Sequence, residues 1–468
     1  MRKDTKKKSL MSKKKRVNNL PKHLEHINKM AAGIDIGSKS HWVAVPEGYD
    51  EACVREFQSF TADLHELVSW LERCGIETVA MESTGVYWIP LYELLESRGF
   101  DVRLVDARHV KNVSGRKTDI LDCQWIQQLH TYGLLNGAFR PNERVCMLRS
   151  YLRQRSMLVE RASHHIQHIQ KALSQMNIQL SNVISDITGD TGMKILRAII
   201  CGERDPELLA AYRNKACKNP VEVIKKSLEG NYREDHIFSL TQAVELYDVY
   251  QEKIAACDKS IENMLLEFNE QKEIDMEKLS KRATKRKGGG RSKNAPLFNL
   301  KLHLIRITGI DLTAIPGIEA TSALKIISEI GLDLTRWESS KHFASWLGLC
   351  PGNKVSGGKR LSGKSKRTGN NAASALRMAA STLHRSQTAL GAFFRRLKSR
   401  LGAPKAITAA AHKLAVIIFN MLKNGVEYVE TGQHYYEEQY RERSVKNLIM
   451  RAKTLGFTLV ETTAYSIS

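Results

Sequence analysis

The chain has 468 residues, 42% of them apolar, and a formal net charge of +22 at pH 7. A chain of this length exceeds what one compact core usually organises, so we expect two or three domains. The positive charge indicates a polyanionic partner, and nucleic acid is the leading class because each phosphate contact releases condensed counterions. No apolar run reaches the length of a membrane span and no signal peptide is recognised, so we expect a cytoplasmic protein without a membrane partner.

The eight cysteines are scattered along the chain, with no CxxC pair among them. None has a histidine at the spacing that zinc sites use. This distribution is typical of reduced cysteines that fill small spaces in a protein core. We therefore expect neither a zinc site nor disulfide bonds.

The N-terminal part of the chain predicts a basic arm followed by an α/β domain. Residues 1–30 cannot bury enough apolar surface to fold alone, and they predict an arm that touches nucleic-acid backbone or a merely solubilising tail. Residues 31–142 predict the order strand, strand, strand, helix, strand, helix, strand, helix. Short polar links make the first three strands an antiparallel meander, and the later half predicts βα units on a parallel sheet. This order is the one expected of a ribonuclease-H-like domain.

The middle of the chain predicts helices. Residues 143–276 predict a helical, coiled-coil region. Its first part, residues 143–176, carries apolar side chains at three- and four-residue spacing with dense charge between them, which indicates a long helix or a helical hairpin. Periodicity leaves two functions open, an arm for self-association or nucleic-acid contact and a helical spacer. Residues 277–299 are basic and glycine-rich and predict a linker whose cations suit phosphate contact.

The last part, residues 300–430, predicts a mostly helical domain, and residues 431–468 a polar tail. The segment LTAIPGIEATSALKIISEIG predicts a helix, a tight turn and a second helix, which resembles a helix-hairpin-helix. Such a hairpin presents backbone N–H groups at a helix N-terminus, where phosphates bind. Further helices are predicted from Ala372 to about His384 and from Ala403 to about Asn424.

Four acidic residues stand at the ends of predicted elements of the α/β domain: Asp35, Glu82, Asp119 and Asp122. The carboxyl ends of neighbouring parallel strands lie side by side, and helix residues three apart share a face, so we expect these side chains to converge. Converging carboxylates repel one another unless cations bind between them, and ligand sets made only of oxygen select Mg²⁺, with Mn²⁺ as the alternative. Two such ions support phosphodiester cleavage. Each acid alone also has an ordinary explanation as a turn or helix-dipole residue, and we assign that explanation to nearby Asp106.

Two regions of the chain resemble a known family. The segments GIDIGSKSHWVAV, VAMESTGVYWIPLYELL and GRKTDILDCQWIQQL resemble the DEDD transposases of one group of bacterial insertion sequences, to which Piv-type invertases are related. The segment FASWLGLCPGNKVSGGKRLSGKSKRTGN resembles the C-terminal transposase domain of the same group. The resemblance implies a RuvC-like N-terminal domain whose four acids bind Mg²⁺, and strand exchange that excises and inserts a DNA element.

The same resemblance implies a serine nucleophile in the C-terminal domain, a structured guide called a bridge RNA, and assembly as dimers and tetramers. Ser356 in VSGGK matches the family pattern better than Ser362 in LSGKS, although both remain open. A serine there could attack phosphorus while neighbouring cations offset the charge of the transition state. The basic residues that we expect to contact nucleic acid are Lys354, Lys359, Arg360, Lys364, Lys366 and Arg367. A flexible basic loop that only contacts phosphate is the alternative.

Three other functions remain as alternatives. An ATP-dependent kinase or actin-like fold is suggested by GIDIGSKS together with GDTG at residues 189–192, but the latter falls in a segment predicted to be helical. A non-catalytic nucleic-acid-binding protein would use the charge and the helical hairpin without the carboxylates. A RuvC-like nuclease or Holliday-junction resolvase would use the same carboxylates for hydrolysis alone.

Overall fold

The computed structural model describes residues 26–83, 85–105, 119–135, 137–268, 293–366 and 368–460. Most of the predicted basic arm, Asp106, Arg367 and most of the predicted linker lie outside these residues. The chain divides into two compact units, Met1–Arg140 and Pro141–Ser468. Each unit is described by itself.

The first unit is a mixed five-stranded sheet with helices. Its elements are β1 (Ala31–Ile36), β2 (Ser40–Ala44), β3 (Val54–Gln58), α1 (Thr61–Arg73), β4 (Thr78–Glu82), α2 (Trp88–Ser97), β5 (Asp101–Val105) and α3 (Asp119–Thr131). The strand order is β3-β2-β1-β4-β5. Strands β1, β2 and β3 pair antiparallel, whereas β1, β4 and β5 pair parallel. The predicted element order, the meander and the parallel half are confirmed.

Alternation along the strands divides the core of this unit between the two faces of the sheet. On one face, Ile34 and Met81 lie in an apolar cluster with residues of α1 and α2. On the other face, Ala80 and Val105 pack with Ile126 of α3. The central strands are thus covered on both sides, which explains their continuous apolar sequence.

The second unit is almost wholly helical. Its elements are α4 (Glu143–Gln175), α5 (Leu180–Val183), α6 (Asp190–Ile200), α7 (Pro206–Ala211), α8 (Val221–Leu228), α9 (Glu234–Glu267), α10 (Leu300–Thr308), α11 (Ala320–Ile330), α12 (Ser340–Trp346), β6 (Lys354–Ser356), β7 (Lys359–Ser362), α13 (Asn371–Thr382), α14 (Ala389–Leu401), α15 (Ala403–Asn424) and α16 (Gln433–Thr454). Residues 189–192, which resemble a phosphate loop, instead cap and begin α6. That placement removes the second phosphate loop on which the kinase or actin-like alternative depended.

Helices α4 and α9 form an antiparallel hairpin. An Arg144 guanidinium N–H donates to the backbone oxygen of Glu267 at one end, and the ring of His165 stacks on Tyr250 further along. Since the residue numbers rise on one helix as they fall on the other, the two helices run in opposite directions. For residues 143–176 the sequence left a long helix and a helical hairpin open, and the structure has the long helix, α4, which pairs with the distant α9.

A buried ion pair fixes this hairpin to the chain that follows it. Asp258 is 2% exposed and pairs with the guanidinium of Arg155. The backbone N–H of Leu297 donates to Asp258 Oδ2 at 3.2 Å, and Arg155 Nη2 donates to the Asn294 carbonyl at 3.0 Å. A buried carboxylate needs such partners because an unpaired charge away from water is costly.

The predicted helix-hairpin-helix around Pro316 is wrong in its first helix. Residues Leu312–Ala314 form only one turn of 3-10 helix, and the regular helix before the turn is α10, which ends at Thr308. The cause is local, because a residue that precedes a proline, here Ile315, is disfavoured in helical conformation. Helix α14 was not predicted.

Helix α15 is the exception to the expectation that no apolar run has the length of a membrane span, although no clear membrane helix is found in the described residues. Among the described residues it is the one helix long and apolar enough to span a membrane by length and composition. Its residues Ala410, Leu414 and Ile418 are nevertheless buried in the second unit. We interpret α15 as a core helix.

Candidate functional site

The end of the parallel sheet brings two acidic residues to equivalent positions. Ile34 of β1 pairs with Met81 of β4, so the next residues, Asp35 and Glu82, follow at the same level of adjacent strands. Ile34 and Met81 are fully buried on the face covered by α1 and α2. Since successive side chains alternate, Asp35 and Glu82 belong to the opposite face, which α3 covers.

Two tight backbone arrangements fix these strand ends. At the end of β1, the Gly37 N–H donates to the Ser40 carbonyl at 3.1 Å and closes the turn into β2. A Cβ on Gly37 would lie 2.5 Å from that same carbonyl, so the turn admits only glycine without a shift. At the end of β4, the backbone N–H and the hydroxyl of Ser83 both donate to the Val105 carbonyl, at 3.0 and 2.9 Å.

Helix α3 lies directly on β1 at Gly33. A Cβ at this position would lie 2.2 Å from the Gln127 backbone nitrogen and 2.5 Å from the Cys123 carbonyl oxygen. Glycine therefore allows the backbones of the strand and the helix to approach more closely than any side chain would permit. This approach places the first turn of α3, which carries Asp119 and Asp122, beside the acidic end of the sheet.

The four carboxylates interact electrostatically. The pKa of Asp35 is raised from 3.8 to about 6, first by burial and then by the negative charges of Glu82, Asp122 and Asp119. A hydrogen bond from the Ile36 backbone N–H opposes this shift only in part. The structure thus brings together the four acids that the sequence singled out, since each of the other three acts on the charge of Asp35.

The neighbouring Cys123 is not poised for reaction. Burial raises the pKa of its thiol to about 12, and the charge of Asp35 adds to the effect. A thiolate is the reactive form of cysteine, and this environment disfavours it. Cys123 therefore acts as a small core residue, as the sequence predicts.

The acids are near one another but not in contact as metal ligands. Among the described residues, no group of three or more His, Cys, Asp or Glu side chains is arranged to hold a metal ion. Asp119 is exposed, so its side chain can move toward the others without leaving a packed environment. The donor set fits a hard divalent cation, because it consists of carboxylate oxygens whose mutual repulsion raises the pKa of Asp35.

The two serines lie in a short hairpin of the second unit. Strands β6 and β7 are joined by Gly357 and Gly358, whose φ angles of 54° and 74° form a two-residue turn. Ser356 pairs with Lys359 next to this turn and is exposed. The Ser362 hydroxyl instead accepts a hydrogen bond from the Lys364 N–H at 3.3 Å.

The basic residues predicted to contact nucleic acid belong to the same hairpin and the chain after it. Lys359, Lys364 and Lys366 are exposed. Lys354 and Arg360 are placed in β6 and β7 by their backbones. The Gly352 N–H donates to the Lys364 carbonyl at 3.1 Å and continues the pairing below the hairpin.

The comparisons with known proteins point to one family. A family model described as a transposase, of the DEDD IS110 type, matches residues 32–178. A second model, described as a transposase of the IS116/IS110/IS902 family, matches residues 311–395. Both of these regions match DEDD-type IS110 transposases. A comparison with curated proteins finds no match.

The two matches give the class of the protein, because both families are transposases. The transposase is an enzyme that cuts and joins DNA, and its family uses a divalent metal ion. The first matched region covers every acidic residue of the sheet edge, and the second covers the β6–β7 hairpin with both serines. Sequence reasoning missed Gly33, although a glycine inside a buried strand is a known signal of close backbone approach.

Proposed function

We propose that this transposase excises and inserts a DNA element, and that its first unit is a RuvC-like, ribonuclease-H-like catalytic domain. The observation that carries the proposal is the placement of four acids at one sheet edge, Asp35 and Glu82 on adjacent strand ends and Asp119 and Asp122 on the first turn of α3. The pKa of Asp35, raised by burial and by the three other carboxylates, supports it. Such a cluster disfavours its own ionised state, which is the usual mark of a functional site rather than of a stabilising surface.

Asp35, Glu82, Asp119 and Asp122 would hold the metal, and Mg²⁺ is the ion that suits their oxygens. When bound, a pair of such ions activates the attacking oxygen and stabilises the leaving oxygen of a phosphodiester. The chain's own part is positional. The strand ends fix Asp35 and Glu82, while α3 brings two further carboxylates whose approach depends on Gly33.

We further propose Ser356 as the nucleophile of the second unit. Its exposed hydroxyl makes no hydrogen bond to a described residue, whereas the hydroxyl of Ser362 accepts one from the Lys364 backbone and helps to form a turn. In the proposed step the Ser356 oxygen loses its proton to solvent and bonds to phosphorus as the bond to the leaving sugar oxygen breaks. The leaving oxygen takes up a proton, so phosphoester bonds and protons are both conserved. Lys359 is the residue that pairs with Ser356 across the hairpin, and its exposed ammonium group would offset the negative charge that develops at phosphorus.

The partners and the place of action follow from the resemblance to the family. We propose a bridge RNA as guide, assembly as a dimer or tetramer, and action on DNA in the cytoplasm. The net charge of +22 supports a large polyanionic partner, which fits both the DNA and the guide RNA.

The test is excision and rejoining of an element on a donor plasmid, with guide and Mg²⁺ supplied. We expect Asp35→Asn, Asp122→Asn and Ser356→Ala to abolish strand exchange, and Ser362→Ala to retain it. Asp63→Asn is the matched control for Asp122→Asn, because Asp63 also stands in the first turn of a helix of the first unit. Full activity of the two carboxylate variants would refute the metal site.

The reaction products of the variants distinguish the role of the serine from the role of the carboxylates. If Ser356→Ala cuts but does not rejoin, the protein is acting as a nuclease or junction resolvase and the covalent step is wrong. If every variant binds DNA equally and the wild type cuts nothing, the non-catalytic alternative holds.

A further inference from the structure

A cleft in the second unit lies between α4, α11 and α13, away from the β6–β7 hairpin in the sequence. Its volume is about 530 Å³, within the ordinary range of ligand sites of roughly 300–1,000 Å³. Three separate helices build it, each with residues spaced by three or four, so one face of every helix lines the cleft.

The floor of the cleft is a buried carboxylate with its partners. Glu329 is 8% exposed, and its Oε1 accepts hydrogen bonds from Arg153 Nη2 and Asn371 Nδ2, both at 3.1 Å. Arg149 Nε lies 3.4 Å from Glu329 Oε2 and also donates to the Ser328 carbonyl at 3.0 Å. The carboxylate is therefore paired with two guanidinium groups, accepts a third contact from the Asn371 amide, and holds Arg153 and Asn371 in place.

The floor keeps donors for a ligand. The side chain of Arg153 is 59% exposed, so part of its guanidinium faces solvent in the cleft after its bond to Glu329 is made. The guanidinium group carries five N–H donors, and one of them is used here. Such a fork suits the oxygens of a phosphate group.

The upper part of the cleft combines a cation, hydroxyls and apolar surface. Lys325 is exposed and forms no ion pair within the described ranges. The hydroxyls of Ser322 and Ser374 likewise make no hydrogen bond to described residues. Met157 on α4 is 39% exposed and Met378 on α13 is 68% exposed, which places a flexible apolar side chain on each of two walls.

We propose that this cleft binds one nucleotide of a single-stranded nucleic acid. Its phosphate contacts Arg153 and Lys325, and its base lies between Met157 and Met378. Phosphate contacts from arginine, lysine, serine and asparagine side chains fix the register of a strand, and extruded bases are held between apolar side chains. The proposal rests on the proposed function for its ligand class, but it needs none of the carboxylates of the first unit.

Two features favour a nucleotide over a purely structural cavity. A structural cavity gains nothing from methionines exposed at its mouth, since their burial elsewhere would be favourable. The cations Arg149, Arg153 and Lys325 outnumber the carboxylates Glu160 and Glu329 along the lining, so the cleft attracts an anion.

The experiment uses full-length protein and 12-nucleotide strands, one of DNA and one of RNA, each with a single thio-substituted photoreactive base. After irradiation, the cross-linked peptides are identified by mass spectrometry. We expect cross-links at Met157 or Met378, and the more efficient strand tells whether DNA or guide RNA supplies the nucleotide. Cross-links that map only to other segments would overturn the proposal.

A charge-matched pair of variants distinguishes binding in the cleft from the general attraction of a nucleic acid to a basic protein. Lys325→Glu changes the cleft, and Lys341→Glu makes the same change at an exposed lysine of α12. We expect the cross-link yield at the cleft to fall about tenfold for Lys325→Glu and less than about twofold for Lys341→Glu. Equal losses in the two variants would overturn the cleft site.

Two further variants separate this proposal from the catalytic one. Met378→Ser removes the apolar wall without a change of charge and should lower the yield by a similar factor, with an unchanged melting temperature. Asp119→Asn should abolish strand exchange and leave the cross-link intact. Loss of the cross-link in Asp119→Asn would mean that the nucleotide is held by the catalytic unit, and the cleft proposal would be wrong.

Discussion

Replacement of Gly33 by alanine tests how the acidic site is assembled. The added Cβ would lie 2.2 Å from the Gln127 nitrogen and 2.5 Å from the Cys123 oxygen, whereas ordinary contact between heavy atoms begins at about 3.5 Å. Both atoms belong to the backbone of α3, so no side chain can rotate to make room. The helix must therefore move away from β1 by about 1 Å.

The cost of this shift has two parts. Overpacking of a well-packed interior lowers the free energy of unfolding by about 1–3 kcal/mol. Displacement of Asp119 and Asp122 by about 1 Å from the sheet edge should lower strand cleavage by about a hundredfold, because catalysis depends on ligand geometry. Urea unfolding and a cleavage assay on a donor plasmid measure the two effects.

Gly137→Ala provides the control within the same unit. A Cβ on Gly137 would meet only Arg103 Cβ at 3.9 Å, which is ordinary contact, so this variant should resemble the wild type. If Gly33→Ala unfolds at the same urea concentration and cleaves at the same rate as Gly137→Ala, the close approach does not assemble the site.

Two other predictions concern charged groups in each unit. Since the pKa of Asp35 rises from 3.8 in the unfolded chain to about 6 in the folded one, the folded state binds more protons between these values. Its contribution is present below pH 3.8 and is lost as the pH rises through 6, so metal-free protein should lose about 1–2 kcal/mol of stability over that window once solvent screening of the partly exposed group is included. Urea unfolding in the presence of a chelator at several pH values measures this loss. If the free energy of unfolding of Asp35→Asn falls with pH as steeply as that of the wild type, the prediction is wrong. Asp258→Asn breaks the buried pair with Arg155 and should cost about 3–5 kcal/mol, whereas Asp248→Asn at the exposed pair with Arg197 should cost under about 1 kcal/mol. Thermal unfolding compares the two variants, and equal melting temperatures would show that burial of the pair is unimportant.

The sequence predicts the elements better than it predicts their contacts. The elements of the first unit could be predicted because each strand and helix has its own apolar spacing in the sequence. The order of these elements along the chain then limits the topology. Asp35 and Glu82 could be placed together because parallel strands end at one edge. The distance between β1 and α3 could not be predicted, since it depends on what lies across from Gly33 in three dimensions.

The second unit shows the same limit. The PGI segment reads as two helices by its apolar spacing, yet the residues before Pro316 form only a single turn. The cleft between α4, α11 and α13 combines Arg153, Glu329 and Asn371, which stand far apart in the chain. No local pattern marks such a set, because each member looks like an ordinary polar residue of a helix surface.

The hydrogen bonds that join Arg155 and Asp258 to the chain at Asn294 and Leu297 have a consequence for the evolution of this enzyme. Asn294 and Leu297 bond to Arg155 and Asp258, so the described chain on either side of residues 269–292 is joined to the same pair of helices. Closure of such a segment becomes only about 0.6 kcal/mol less favourable for each doubling of its length. Insertions of whole accessory modules can therefore accumulate at this point, or be grafted there by design, while the two helices that support it keep their pairing.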